Sequence, residues 1–155
     1  MSDELVFMMG KFAARFPTDR LYAKNHMWAK PRVVDGRAGY DFGFSMYAVR
    51  LLQDVYFLEW TVDAPTAVRE KQAIGNIESS KAESELYAPI PGTLTEFNSV
   101  LLKDPSPINV DSYGGGRLFH IAGEAAGLLT PEAYQDHLAG AWKIAERTIK
   151  GKMND

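Results

Sequence analysis

Residues 74–92 run Ile74-Gly75-Asn76-Ile77-Glu78-Ser79-Ser80-Lys81-Ala82-Glu83-Ser84-Glu85-Leu86-Tyr87-Ala88-Pro89-Ile90-Pro91-Gly92. Ile74 and Ile77 on one side, and Leu86, Tyr87 and Ile90 on the other, flank a short polar centre. That layout predicts a β-hairpin with Lys81 held at its tip. A lysine on a tight turn between small residues and acids is poorly placed to pack against anything. It is well placed to be presented to an enzyme that acylates it. Taken alone, a Ser-Lys-Ala tripeptide is more often an ordinary exposed hairpin, so the decision rests on the rest of the chain.

Before the hairpin, Val55-Tyr56-Phe57-Leu58-Glu59-Trp60 is a strongly β-prone run, and Thr93-Leu94-Thr95-Glu96-Phe97 after it is another. From Leu21 to Phe44 the pattern is short and strand-like, with Asp35-Gly36 as a hairpin turn signal. Ser45 is placed to cap a short helix whose buried face is Tyr47, Ala48, Leu51 and Leu52. Val100 to Leu102 predicts a helical turn stopped by Asp104-Pro105, and Arg117 to Ile121 predicts a strand. Thr130, Pro131 and Glu132 open a C-terminal helix, with Leu138, Trp142 and Ala145 facing inward. At the other end, Leu5, Met9, Phe12 and Phe16 recur at spacings of four, three and four and predict an N-terminal helix ended by Pro17. Many short strands with helices at the ends make a mainly β fold, a compact sandwich or barrel-like core. The boundaries follow: an N-terminal helical extension over 1–19, a β domain over 20–128, and a C-terminal helix with tail over 129–155.

The chain has 155 residues and a net charge of −3 without a basic block, which speaks against a nucleic-acid partner. No apolar run reaches the length of a membrane span, and the acidic start Met1-Ser2-Asp3-Glu4 argues against a secretory or transit leader, so a cytoplasmic protein is expected. Cysteine is absent. Any thiol chemistry must therefore arrive on an attached group.

No independent catalytic constellation assembles. Gly114-Gly115-Gly116 lacks the P-loop spacing and reads as a tight turn. His26, His120 and His137 are scattered, without metal-ligand spacing, and read as structural or surface residues. No Gly-x-Ser-x-Gly elbow frames a nucleophile. Glu78, Glu83 and Glu85 cluster around Lys81, either as a solvated turn or as a recognition patch for a modifying enzyme or an attached arm. The chain is expected to be a carrier, not an enzyme.

Glu78-Ser79-Ser80-Lys81-Ala82-Glu83-Ser84-Glu85-Leu86-Tyr87-Ala88-Pro89 resembles the lipoylation segment of the glycine cleavage system H-protein family, a Glu-Ser-Val-Lys-Ala run followed by an acid and a Ser-Pro or Ala-Pro. His26-Met27-Trp28 is similar to the family's His-Glu-Trp, and Gly43-Phe44-Ser45-Met46-Tyr47-Ala48 to its Gly-Ile-Thr-x-Tyr-Ala. Asn109 to Phe119 resembles its Asn-x-Asp-Pro-Tyr-Gly-x-Gly-Trp-Leu, and the likeness spans residues 20 to 140. It implies a barrel-sandwich hybrid (lipoyl/biotinyl-like) core with N-terminal, short internal and C-terminal helices. It also implies lipoic acid in amide linkage on Lys81.

Two departures bear on the cargo. In the family, the acid of His-Glu-Trp and an acid four residues after the lysine hold the arm's aminomethyl load, whose ammonium pairs well with carboxylate. Glu85 keeps the second position, but Met27 occupies the first, and a thioether suits sulfur or hydrocarbon instead. Arg117 also replaces the usual Trp. Phe16 to Tyr22 and Tyr47 to Trp60 resemble the lipoate-binding proteins of bacterial sulfur oxidation, which work with a heterodisulfide-reductase-like complex. The resemblance thus implies a sulfur-carrying lipoyl protein served by lipoate ligase or lipoyl-assembly enzymes. The alternative is an aminomethyl carrier served by glycine decarboxylase, aminomethyltransferase and dihydrolipoamide dehydrogenase. An unmodified interaction module is a third reading, of another class. Site expectations are Lys81 for attachment, Met27 and Glu85 for arm contact, and Glu78 and Glu83 for recognition by the lipoylating enzyme.

Overall fold

The structure, a computed structural model, describes residues 3–154, with side chains up to residue 147. In chain order it runs β1 (Glu4–Met9), β2 (Phe12–Pro17), β3 (Leu21–Tyr22), β4 (Met27–Pro31) and β5 (Gly39–Phe44), then helix α1 (Met46–Leu52). There follow β6 (Val55–Trp60), β7 (Thr66–Val68), β8 (Ala73–Ser79), β9 (Glu83–Tyr87) and β10 (Gly92–Phe97). Short helices α2 (Val100–Lys103) and α3 (Pro107–Val110), strand β11 (Phe119–Ala122) and the long helix α4 (Pro131–Asn154) complete it.

The strands form three antiparallel sheets: β1-β2, the six-stranded β3-β4-β5-β11-β10-β7, and the three-stranded β6-β8-β9. They do not close into a barrel. Leu58, Ile74, Ile77 and Leu86 of the smaller sheet share one core with Phe42, Leu94, Phe119 and Ile121 of the larger, all at most 5% exposed. Burial of this apolar surface is the main term joining the sheets. No helix among the described residues is long and apolar enough to cross a membrane.

Local signals account for most elements. Asp35 and Gly36 both take positive φ, 51° and 74°, as a type I′ turn requires, and Val34 bridges Arg37 across them. Ser45 caps α1, its Oγ accepting from the Ala48 N–H, an interaction of about 1 kcal/mol. Thr130 Oγ1 caps α4 by accepting from the Ala133 N–H at 3.1 Å.

The N-terminal segment departs from expectation. The sequence predicts a helix, and the structure forms the β1-β2 hairpin. Gly10, at φ 64°, supplies the positive φ that begins a type II′ turn and breaks any helix across it. Met9 pairs with Phe12. Leu5, Phe7 and Met9, then Phe12, Ala14 and Phe16, face inward at period two, while Glu4, Val6, Met8 and Arg15 are exposed. The inward face builds a second core from Met9, Phe16, Tyr22, Trp28, Tyr47, Tyr134 and Leu138, which seats the hairpin against α1 and α4.

Candidate functional site

The β8-β9 hairpin places Lys81 in its four-residue turn, with an exposed side chain that forms no ion pair among the described residues. Its backbone is tied down. Ser79 N–H donates to the Ala82 carbonyl at 2.8 Å, and Ser79 Oγ accepts from the Ala82 and Lys81 N–H groups at 3.1 and 3.4 Å. Ser80 N–H donates to the Asp54 carbonyl at 2.9 Å, and Asp54 N–H donates to Ser80 Oγ at 3.1 Å. These bonds fasten the tip to the α1-β6 connection. The serines, legible in sequence only as small spacers, are what holds the turn. A fixed backbone thus carries a free amine.

Two depressions lie beside the hairpin, sharing Ile77, Ser84 and Glu85. The first, about 310 Å³, lies on the face carrying Phe57, Glu59, Asn76, Glu78, Glu83 and Glu85. Strand register sets this acidic row: Glu78 opposes both Phe57 and Glu83, and Asn76 opposes both Glu59 and Glu85. Asn76 Nδ2 donates to Glu59 at 2.9 Å. Among the described residues none of the four carboxylates is in an ion pair. Like charges directly opposed across strands, as at Glu78 and Glu83, destabilise a sheet.

The second depression, about 300 Å³, is an apolar groove between α1 (Ala48, Leu51, Leu52), residues 25–27 and β9 from Ser84 to Tyr87. Met27 and Phe44, 1% and 5% exposed, form its floor. Glu85 and Tyr87 stand exposed at the rim, where the Glu85 charge raises the Tyr87 phenol's pKa. So the structure brings Met27 and Glu85 to one groove and leaves Glu78 and Glu83 outside it. An ammonium on that floor would meet a thioether and no carboxylate, an unfavourable setting for a buried charge. Arg117 lines neither depression. It faces Asp41 at 3.7 Å, beside the Arg32–Asp41 and Arg32–Glu96 pairs at 2.6 and 2.7 Å.

His26 is the groove residue that spacing alone did not reveal; only its place beside Met27 hinted at it. It takes a left-handed backbone, φ 70°. Its Nδ1 lies 3.0 Å from the Tyr134 hydroxyl, itself 2.9 Å from Ser45 Oγ. Burial, with the neighbouring His137 adding to it, pushes the imidazole's pKa down to about 4, so the ring is neutral at pH 7. His120 is buried elsewhere, between Thr95 and the Arg32 carbonyl. The Gly114–Gly116 amides are directed onto Asp111: Gly115 N–H donates to its carboxylate at 2.7 Å, and Gly114 and Gly116 to its carbonyl. The loop is a capped turn, its amides committed within the chain.

Residues 20–140 match the family model described as glycine cleavage H-protein. The chain is 39% identical over 129 residues to a glycine cleavage system H protein of Alteromonas mediterranea, covering 81% of this chain and 97% of that one. The corresponding protein of Halorhodospira halophila is 35% identical over 130 residues, with the same coverage of 81% and 97%. Among solved structures, a glycine cleavage system H protein from Mycobacterium marinum superposes with a TM-score of 0.67 at 30% identity, over 80% of this chain and 99% of that one.

Proposed function

The chain belongs to the glycine cleavage H-protein family, and from that premise we propose that Lys81 is its lipoyl attachment site and that the protein is a carrier, not a catalyst. Proteins of this family carry a lipoate covalently bound to a lysine. The observation that carries the assignment is the contrast at the hairpin tip: a hydrogen-bonded turn presenting an exposed lysine with no ion pair among the described residues. When bound, the group supplies a dithiolane that opens to a dithiol on a long flexible arm, chemistry that a chain without cysteine cannot supply itself.

The residues fit such an arm. Ser79, Ser80 and Asp54 hold the attachment point. Ala48, Leu51 and Leu52 offer an apolar wall that excludes water from a hydrocarbon chain laid against it. Glu85 and Tyr87 place polar groups at the mouth.

The reading the named relatives support is service to the glycine cleavage system, with the aminomethyl group as cargo and glycine decarboxylase, aminomethyltransferase and dihydrolipoamide dehydrogenase as partners. The sulfur-oxidation reading, with a heterodisulfide-reductase-like partner, finds no support among those relatives. One observation of the site favours it: the floor acid is replaced by the buried Met27, leaving Glu85 at the rim as the groove's carboxylate. Intact mass of the protein from its own host, followed by loading assays, separates them. One lipoyl group on Lys81 with glycine-dependent loading by glycine decarboxylase supports the first reading. Inertness toward glycine with loading by sulfane sulfur supports the second. An unmodified Lys81 overturns both.

The acidic row is proposed as the surface that the lipoate ligase or lipoyl-assembly enzyme recognises, through Glu78 and Glu83. Glu78→Lys would set opposite charges across from each other and raise stability by a few tenths of a kcal/mol up to about 1 kcal/mol. The same change is expected to slow lipoylation several-fold. Denaturant melts and a timed mass assay read the two effects separately. An unchanged rate in both Glu78→Lys and Glu83→Lys would leave these acids as solvated surface.

A further inference from the structure

We propose that His26 is the recognition residue of the apolar groove: Tyr134 and Ser45 hold its imidazole so that a neutral Nε2–H is left to donate a hydrogen bond to sulfur on the arm carried by Lys81. The inference deepens the carrier reading and rests on it.

The donors and acceptors around the ring fix the tautomer. Ser45 and Tyr134 are both fully buried. Ser45 Oγ already accepts from Ala48 N–H, so its own hydrogen needs an acceptor, and the neighbour within reach is the Tyr134 oxygen at 2.9 Å. Tyr134 then donates its one hydrogen to Nδ1 of His26 at 3.0 Å. The reverse direction would leave the Ser45 hydroxyl hydrogen buried and unpaired, which is costly. Burial holds the Tyr134 phenol far above its ordinary pKa, so that hydrogen stays in place. With Nδ1 accepting, the ring proton of neutral His26 sits on Nε2, which has no partner within the described residues.

The backbone points the same way. His26 sits in a four-residue connection from β3 to β4, where Ala23 N–H donates to the Met27 carbonyl at 2.8 Å. Glycine adopts its left-handed conformation without penalty, whereas a β-carbon there carries strain. A strained position occupied by a residue that lines a groove is a reason to look for function. The choice of sulfur follows from the surroundings. Met27, Phe44 and Leu51 line the same groove, and one neutral donor among apolar walls suits a weakly hydrated acceptor better than a hard anion.

The test begins with the unlipoylated full chain, in which nitrogen NMR of His26 at pH 7 is expected to show Nε2 protonated and Nδ1 bare. A proton on Nδ1 overturns the inference whether or not Lys81 is modified. In the reduced, lipoylated protein, alkylation of the arm's thiols is expected to speed up several-fold in His26→Gly, up to about tenfold, the scale of one net hydrogen bond. Stability should fall, because the relief of the left-handed backbone is outweighed by the buried Tyr134 hydroxyl losing its acceptor and by the lost ring contacts. Alkylation is therefore compared under conditions where denaturant melts show every variant folded. Tyr134→Phe keeps the ring and removes only the hydroxyl; it should raise the His26 pKa and accelerate alkylation to a smaller degree. Unchanged alkylation in both variants overturns the proposal. A Lys81 that stays unmodified while His26 shows the Nε2–H form would instead overturn the carrier reading, and with it the arm as the groove's occupant.

Discussion

Lys81→Arg is expected to abolish lipoyl incorporation and, with it, all carrier activity, while leaving the fold intact. The side chain is exposed and makes no ion pair among the described residues, so the substitution belongs to the surface class that shifts stability by about 0.5 kcal/mol or less. Arginine preserves the charge and the reach. It fails because a guanidinium remains protonated and delocalised, whereas a lysine amine sheds a proton to become a nucleophile. Lys81→Ala should match it, since cysteine is absent and the chain offers no second thiol. Intact mass reads incorporation, and a reconstituted partner assay reads activity. Activity retained in either variant would make the protein an unmodified interaction module. Geometry adds a sharper form of the test. Exchanging neighbours, Ser80→Lys with Lys81→Ser, keeps a lysine in the turn but removes the hydroxyl that accepts from Asp54 N–H at 3.1 Å. That double variant is expected to be lipoylated poorly, because the turn loses its anchor and the amine moves out of position.

What could be read from sequence is what depends on neighbouring residues alone. The lysine hairpin, the Asp35-Gly36 turn, the Ser45 cap and the Thr130-Pro131 helix start each rest on a few consecutive residues whose chemistry admits one local answer. The N-terminal hairpin did not, because Leu5, Met9, Phe12 and Phe16 form one apolar stripe under either geometry. On a helix they recur every three or four positions; on two strands joined by Gly10-Lys11 they also fall on one face. Phe7 and Ala14, inward-facing at the period of a strand, and Gly10 with its positive φ break the tie. The groove lay further out of reach, since α1, the turn before β4, and β9 converge there from three parts of the chain. His26 could be seen beside Met27, but its restraint comes from Tyr134, 108 residues away.

Phe16→Ala is expected to destabilise the whole protein by about 3–5 kcal/mol, the range for deleting a buried aromatic ring. Phe16 lies in the segment before residue 20, outside the stretch matched by the family model, yet it is fully buried. Its ring meets Tyr22 and Tyr134 edge-on, with centroids 5.8 and 5.2 Å apart, and Tyr22 stacks on Tyr134 at 4.8 Å. Removing it opens a cavity among rigid rings that cannot collapse around the gap, which places the cost toward the upper end. A denaturant titration should show a lower midpoint with an unchanged slope, the sign of lost stability in one cooperative unit. If the hairpin were a separate appendage, the main transition would not move and only a small early phase would appear. The consequence extends to the groove. Tyr134 is the side chain that orients His26, and Tyr47 of the same core lies on α1, whose Ala48, Leu51 and Leu52 form the groove wall. Loosening Phe16 should therefore raise the His26 pKa from about 4 toward the ordinary imidazole value as water reaches the ring. A distant, purely apolar substitution would then register on the titration of one groove histidine, linking the added hairpin to the surface where the arm is proposed to rest.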